Sequence, residues 1–231
     1  MIPWVQIDEA ALPGSTNTLR LKQRGDEFSI MLGSNELMNS RLSGSEQALA
    51  TLACTRMENI AKPRILIGGL GMGFTLRAAL EALGPDAHID VAELVPAVIA
   101  WARGPMQSVF HQCLDDPRVH LLETDVQVPI KHSKAVYDAI LLDVDNGPDG
   151  LTHEDNSGLY AESGLGTAVR ALRRGGVLAV WSSGPDAGFT RRLKRAGFAV
   201  EEVKTRARGS RGGARHVIWL ATKTTQKQNR A

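Results

Sequence analysis

The chain has 231 residues, of which 43% are hydrophobic, 23% charged and 5% aromatic, with a formal net charge of +2. That composition belongs to an ordinary globular chain and excludes a disordered, collagenous or coiled-coil protein. So small a net charge does not by itself imply a polyanion partner, and so few aromatics argue against a stacking platform for single-stranded nucleic acid.

The two cysteines, Cys54 and Cys113, are far apart and lack a CxxC arrangement, so no disulfide framework is expected. The histidines at 88, 111, 120, 132, 153 and 216 show neither HExxH nor HxH spacing. No dedicated metal site is expected from that spacing. The first residues, Met-Ile-Pro-Trp followed by Asp8 and Glu9, have no basic and then apolar leader pattern. No apolar run approaches the ~18 residues that would cross a membrane. A cytoplasmic, reduced setting is the expectation.

Residues 18–23 alternate polar and apolar, 24–26 carry the turn signal Arg-Gly-Asp, and apolar residues resume at 28, 30 and 32. A second turn at Gly33-Ser-Asn precedes a short stretch at 36–38. The pattern predicts a small antiparallel β-meander within residues 1–42. Ser43-Gly-Ser then caps a helix whose apolar stripe falls at 48, 49, 52, 53 and 57.

From residue 64 the rhythm changes. Apolar runs at 64–68, 88–92, 118–122, 138–142 and 177–181 predict strands, and helical patterns lie at about 73–83, 95–103, 107–114 and 162–174. Continuous apolar strands separated by helices imply a parallel sheet covered on both faces, wound by right-handed crossovers. After a helix at 186–196, residues 198–203 and 216–221 are separated only by a loop and predict an antiparallel pair. The expected fold is α/β: a Rossmann-like doubly wound, mostly parallel seven-stranded sheet ending in a β-hairpin, over residues 43–222, preceded by the meander and followed by a flexible tail at 223–231.

The stretch Arg64-Ile-Leu-Ile-Gly68-Gly-Leu-Gly-Met-Gly73-Phe runs an apolar strand through a glycine cluster into a helix. Glycines admit positive φ and let a ligand touch the backbone, and the free amides at a helix start attract polar or anionic groups. Gly69, Gly71 and Gly73 form GxGxG. The dinucleotide fingerprint GxGxxG fails at its third glycine, because position 74 is Phe. A tight ligand-free turn is the structural alternative. The second strand ends in Glu93, placed to accept both hydrogen bonds of a ribose diol. Asp125 follows the third strand, where it suits an exocyclic adenine amine or equally caps the next helix. Asp143 ends the fourth strand. These positions share the carboxyl edge of the sheet, where ligands bind in open α/β folds.

On these residues the chain resembles the spermidine synthase (polyamine aminopropyltransferase) family, within the class I S-adenosylmethionine-dependent methyltransferase fold. Gly68-Gly-Leu-Gly-Met-Gly73 is similar to the family's GGGDGG, Val91-Ala-Glu-Leu94 to its VExD, and Asp125-Val126 to its DA. Asp143-Val-Asp-Asn-Gly-Pro148 with Leu159-Tyr160 is similar to its DSSDPxGP…FY. The resemblance implies an S-adenosylmethionine-type donor, intact or decarboxylated, held by Gly68, Gly69, Leu70, Gly71, Gly73, Glu93, Leu94, Asp125, Val126 and Asp143, with no metal. It implies catalytic roles for Asp143, Asp145 and Tyr160, and a homodimer.

The chain also departs from the pattern. The Asp of GGGDGG is Gly71, the second Asp of DSSD is Asn146, and the family's Q…DE..YHE becomes residues 39–48 without its Tyr-His pair. In the family the missing acid lies beside the aminopropyl tail of a decarboxylated donor; its loss removes a repulsion against a donor that keeps its carboxylate. The leading expectation is therefore methyl transfer to a small acceptor, an amine in one form of the reading. Aminopropyl transfer from decarboxylated S-adenosylmethionine to a polyamine is the alternative.

Residues 135–169 hold no Lys or Arg but contain Asp138, Asp143, Asp145, Asp149, Glu154, Asp155 and Glu162. They form either an acidic mouth for a cationic acceptor or a solvated loop. An amine nucleophile must lose a proton, which Asp143 or Asp145 would take, while Tyr160 serves as a hydrogen-bonding wall or as packing. Nine Lys or Arg residues between 191 and 215 keep RNA methylation, or a non-catalytic nucleoside- or RNA-binding module, as a third reading.

Overall fold

In the computed structural model, the described residues are 2–144, 156–209 and 212–224. The chain opens with β1 (Val5–Ala11), β2 (Thr18–Arg24), β3 (Glu27–Leu32) and β4 (Asn35–Asn39), then α1 (Gly44–Thr55). The alternating stretch follows as β5 (Arg64–Gly68), α2 (Phe74–Ala82), β6 (His88–Glu93), α3 (Pro96–Arg103), α4 (Gln107–Phe110), β7 (Val119–Glu123), α5 (Gln127–His132) and β8 (Tyr137–Leu142). It ends with α6 (Asn156–Tyr160), α7 (Glu162–Ala171), β9 (Leu172–Ser182), α8 (Ala187–Arg195), β10 (Phe198–Arg206) and β11 (Arg215–Lys223).

The larger sheet has seven strands in the order β10-β11-β9-β8-β5-β6-β7. β6, β7 and β8 run parallel to their neighbours around β5, and β8 pairs parallel with β9. β11 is antiparallel to both β9 and β10. The chain leaves β5 toward β6 on one side and returns as β8 on the other. That reversal opens a crevice at the carboxyl ends of β5 and β8, where an open α/β sheet binds its ligand.

The strands are apolar throughout because both faces are covered. Ile65, Ile67, Ile89, Val91 and Leu141 point into one core beneath α1, α2 and α3. Leu66, Ile140, Leu142, Leu178 and Trp219 point into the other, with Leu165 of α7 and Phe189 and Leu193 of α8. Burying each such side chain contributes about 1.5–3 kcal/mol. α8 is capped by Asp186, whose carboxylate accepts from the backbone N–H of Gly188 and of Phe189 at 2.6 and 2.9 Å.

The expected fold class holds, with four local differences. The N-terminal sheet has four antiparallel strands rather than three, β1 pairing with β2. A register shift between Gln6 and Asp8 breaks the alternation that would have marked β1. The expected helix at 107–114 stops at Phe110, because His111 and Gln112 both take left-handed conformations (φ 48° and 63°) before a 3-10 turn at Cys113–Asp115. α7 ends at Ala171, and β9 starts there rather than at 177. Arg173 on this early part of β9 reaches Asp138 at 2.7 Å. The short α5 and α6 lie in stretches without a helical stripe. Among the described residues no helix is long and apolar enough to cross a membrane.

Candidate functional site

β5 ends in the glycine turn, and the turn is shaped by what lies against it. Gly69 has φ 89°, and a Cβ there would sit 2.4 Å from the carbonyl oxygen of Asp143. Gly73 has φ 75°, and a Cβ would meet the Phe110 ring at 2.6 Å. Both positions therefore require glycine. Backbone bonds from Gly69 N–H to the Ala92 carbonyl and from Asp143 N–H to the Gly68 carbonyl, each 2.9 Å, bind the turn to the ends of β6 and β8.

Against this turn lies a cleft of about 750 Å³, lined by Gly69, Gly71, Ala92, Glu93, Leu94, Val95, Val98, Asp125, Val126, Asp143 and Val144. Its outer wall comes from the small sheet and its loops: Leu12, Leu19, Leu37 and Met38. A second cavity of about 630 Å³ is lined by Glu46, Leu70, Met72, Phe74 and Trp181, and it shares Leu37, Met38, Gly71 and Asp143 with the first. Asp143 thus stands where the two spaces meet.

Glu93 is buried, 8% exposed. Its Oε2 accepts from the Leu70 backbone N–H and its Oε1 from that of Val95, each at 2.9 Å. Burial pushes its pKa above the usual carboxylate range, and these backbone donors oppose the rise. The backbone N–H groups of Gly71 and Leu94 also act on the same carboxylate, so the ends of β5 and β6 are gathered around it. Asp125 accepts from the Gln127 backbone N–H at 2.8 Å, capping the first turn of α5, and also lines the cleft. The capping and the ligand-facing positions expected for it are therefore compatible in one residue.

At the junction of the two spaces, Asp143 Oδ2 accepts a 2.6 Å hydrogen bond from the Thr75 hydroxyl. Burial, followed by the nearby charge of Glu46, pushes Asp143 up to about 7, against the Thr75 bond that lowers it. Glu46 is likewise raised by burial. Its Oε2 accepts from Ser45 Oγ at 2.6 Å, and Ser45 Oγ lies 2.9 Å from His216 Nδ1. The edge of the Trp181 ring meets His216 with centroids 4.7 Å apart.

Of the expected donor residues, Gly69, Gly71, Glu93, Leu94, Asp125, Val126 and Asp143 line the cleft. Leu70 lines the adjoining cavity, and Gly68 and Gly73 support the turn from behind. Tyr160 sits on the last turn of α6, 2% exposed, its ring edge-on to Phe189 at 5.5 Å, and is not among the residues lining either cavity. Asp145, with Asn146, Asp149, Glu154 and Asp155, lies outside the described residues. Sequence reasoning did not single out Thr75, Trp181, the role of Glu46, or the wall of Leu12, Leu19, Leu37 and Met38. A Thr on the first turn after the glycine cluster was the one available signal. Several cations of the basic C-terminal stretch are paired, Arg192 with Asp186 and Arg195 with Glu162.

No protein-family profile matches the chain. It is 30% identical over 145 residues to a polyamine aminopropyltransferase of Mycobacterium tuberculosis, covering 59% of this chain and 27% of that one. It is 28% identical over 148 residues to polyamine aminopropyltransferase 1 of Streptomyces coelicolor, covering 61% and 27%. The match thus spans about a quarter of the length of these curated relatives. Among solved structures, spermidine synthase from Thermotoga maritima superposes with a TM-score of 0.74 at 20% identity, over 94% of this chain and 72% of that one. A spermidine synthase in complex with the transition state analogue AdoDATO gives 0.73 at 19%, with the same coverage. The chain therefore shares the fold of these spermidine synthases and is similar in sequence to part of the polyamine aminopropyltransferases.

Proposed function

We propose that the chain transfers an aminopropyl group from decarboxylated S-adenosylmethionine to a small cationic amine. The observation that carries this reading is the junction of two cavities at Asp143, with Glu46 on the acceptor side. The similarity to polyamine aminopropyltransferases and spermidine synthases supports it over methyl transfer, the expectation drawn from Gly71 and Asn146.

In this reading the adenosine lies over the glycine turn, its ribose diol on Glu93 and its adenine near Asp125. The acceptor occupies the second cavity as an ammonium, attracted by Glu46 and Asp143. Asp143 takes the amine proton, freeing the nitrogen lone pair. The nitrogen attacks the aminopropyl carbon next to the sulfonium. A C–N bond forms, the C–S bond breaks, and its electron pair returns to sulfur as a neutral thioether. Charge is lost at sulfur, so the protein's task is to position and desolvate the nucleophile. The apolar walls Leu37, Met38, Met72 and Phe74 exclude water from that line of attack. Assembly as a homodimer through the N-terminal sheet belongs to the same reading, on the exposed Ile2, Val5 and Ile7.

The test is to incubate the chain with each donor and a panel of di- and polyamines, and to identify the nucleoside product by mass spectrometry. Methylthioadenosine formed only with the decarboxylated donor is the expected result. S-Adenosylhomocysteine from the intact donor would overturn aminopropyl transfer in favour of methyl transfer.

A further inference from the structure

We propose that His88, Asp90 and His120 bind one borderline divalent transition ion, of the zinc, cobalt or nickel class, at the amino-terminal edge of the parallel sheet. His88 is the first residue of β6 and Asp90 lies two residues on, so their side chains leave the same face of the sheet. His120 on β7 is the register partner of Asp90 across the β6–β7 ladder. Two adjacent strands thus deliver two imidazoles and a carboxylate to one point, and one candidate ligand atom from each lies within 4.8 Å of the others.

The distances suit a shared ion. His88 Nε2 is 2.9 Å from Asp90 Oδ1. Around a tetrahedral ion with bonds of ~2.0–2.2 Å, neighbouring ligands stand about 3.3–3.6 Å apart, so an ion would replace this hydrogen bond by opening the pair a few tenths of an ångström. The His88 and His120 rings stack with centroids 4.1 Å apart and planes at 22°. The wider span to His120 is closed by turning that exposed ring. Asp90 is 5% exposed and held from its far side: Arg64 donates to Oδ2 from its terminal nitrogen at 2.9 Å and from Nε at 3.2 Å. Oδ1 is thereby left facing the imidazoles, and a ligating carboxylate is typically fixed by such an outer hydrogen bond.

Two imidazole nitrogens and one carboxylate oxygen favour zinc, nickel, cobalt or copper over magnesium or calcium, which prefer oxygen alone. The partial exposure of His88, 35% at the side chain, leaves a path for the ion and for the waters that complete its shell. Among the described residues β7 is the last strand of its sheet, with β6 as its one neighbour. An ion held by His120 on one strand and His88 and Asp90 on the other would fasten that edge. The glycine cleft lies at the opposite ends of these strands, so the site is separate from the donor pocket.

The experiment uses the chain freed of any affinity tag and of metal, titrated with Co²⁺ followed by its visible absorption and with Zn²⁺ by calorimetry. One ion per chain is expected, with affinity falling at least tenfold in His120→Ala and in His88→Ala. Zn²⁺ is expected to raise the melting temperature of the parent chain and not of His120→Ala. Because His120 is exposed, its variant folds and decides the matter even where His88→Ala does not. The absence of binding at millimolar ion, or binding equal in the parent and in His120→Ala, would overturn the proposal.

Discussion

The Thr75 hydroxyl donates a 2.6 Å hydrogen bond to Asp143 Oδ2, joining the first turn of α2 to the end of β8. This bond favours the ionised carboxylate, while burial and the Glu46 charge disfavour it. Removing either neighbour should therefore move the titration of Asp143 in opposite directions. Thr75→Val is expected to shift the acid limb of the kcat/KM–pH profile upward from about 7, and Glu46→Gln to shift it downward. Each shift should be on the order of half to one pH unit, and profiles that coincide with the parent's would refute the assignment of that limb to Asp143.

The same carboxylate makes a stability prediction. Its folded value of about 7 lies above its ordinary value of 3.8. The folded chain therefore holds a proton that the unfolded chain has released. The stabilisation from this group is complete below about pH 4 and is lost as pH rises through about 7. In Asp143→Asn the group no longer titrates. Melting curves should coincide near pH 4, and the variant should melt several degrees higher at pH 8, for a gain of up to about 4 kcal/mol. Turnover should fall by about 10²-fold or more, the usual range for a lost proton acceptor.

Glu93→Gln replaces a buried acceptor by a group that is half donor. One of the backbone N–H groups of Leu70 and Val95 then loses its carboxylate partner, and the diol loses a charged acceptor. Hydrogen bonds to charged groups contribute about 1.5–3 kcal/mol. Calorimetry with methylthioadenosine should show affinity reduced roughly 10- to 100-fold. An unchanged affinity would remove the ribose from Glu93.

On the resemblance to GGGDGG, Gly71 would take the place of an acid; it has φ 52° and Met38 Sδ at 3.4 Å from where a Cβ would stand. Asp tolerates the left-handed region better than most residues. Gly71→Asp should therefore fold with a small loss of stability and repel the carboxylate of intact S-adenosylmethionine. The ratio of affinities, decarboxylated over intact donor, is expected to rise at least tenfold, about 1.4 kcal/mol. A ratio that stays level would mean the donor tail does not pass this residue.

Much of this site was legible because the carboxyl ends of parallel strands carry both the sheet's geometry and its chemistry. The apolar run into Gly69, Gly71 and Gly73 located the turn, and Glu93, Asp125 and Asp143 followed from counting strands. What the chain order could not reveal is pairing across elements. Glu46 faces Asp143 from a helix nearly a hundred positions earlier, and Trp181 reaches the cavity from β9. His120 meets Asp90 only through the β6–β7 register, so a search for linear histidine spacing passes over it. His111 and Gln112 stop α4 with left-handed backbone at residues that carry no glycine signal.

Leu37 and Met38 belong to the boundaries of both chambers. The strand that bears them therefore acts as a shared partition: it cannot yield to one guest without altering the room left for the other. A bulkier side chain at either position would therefore narrow both chambers at once.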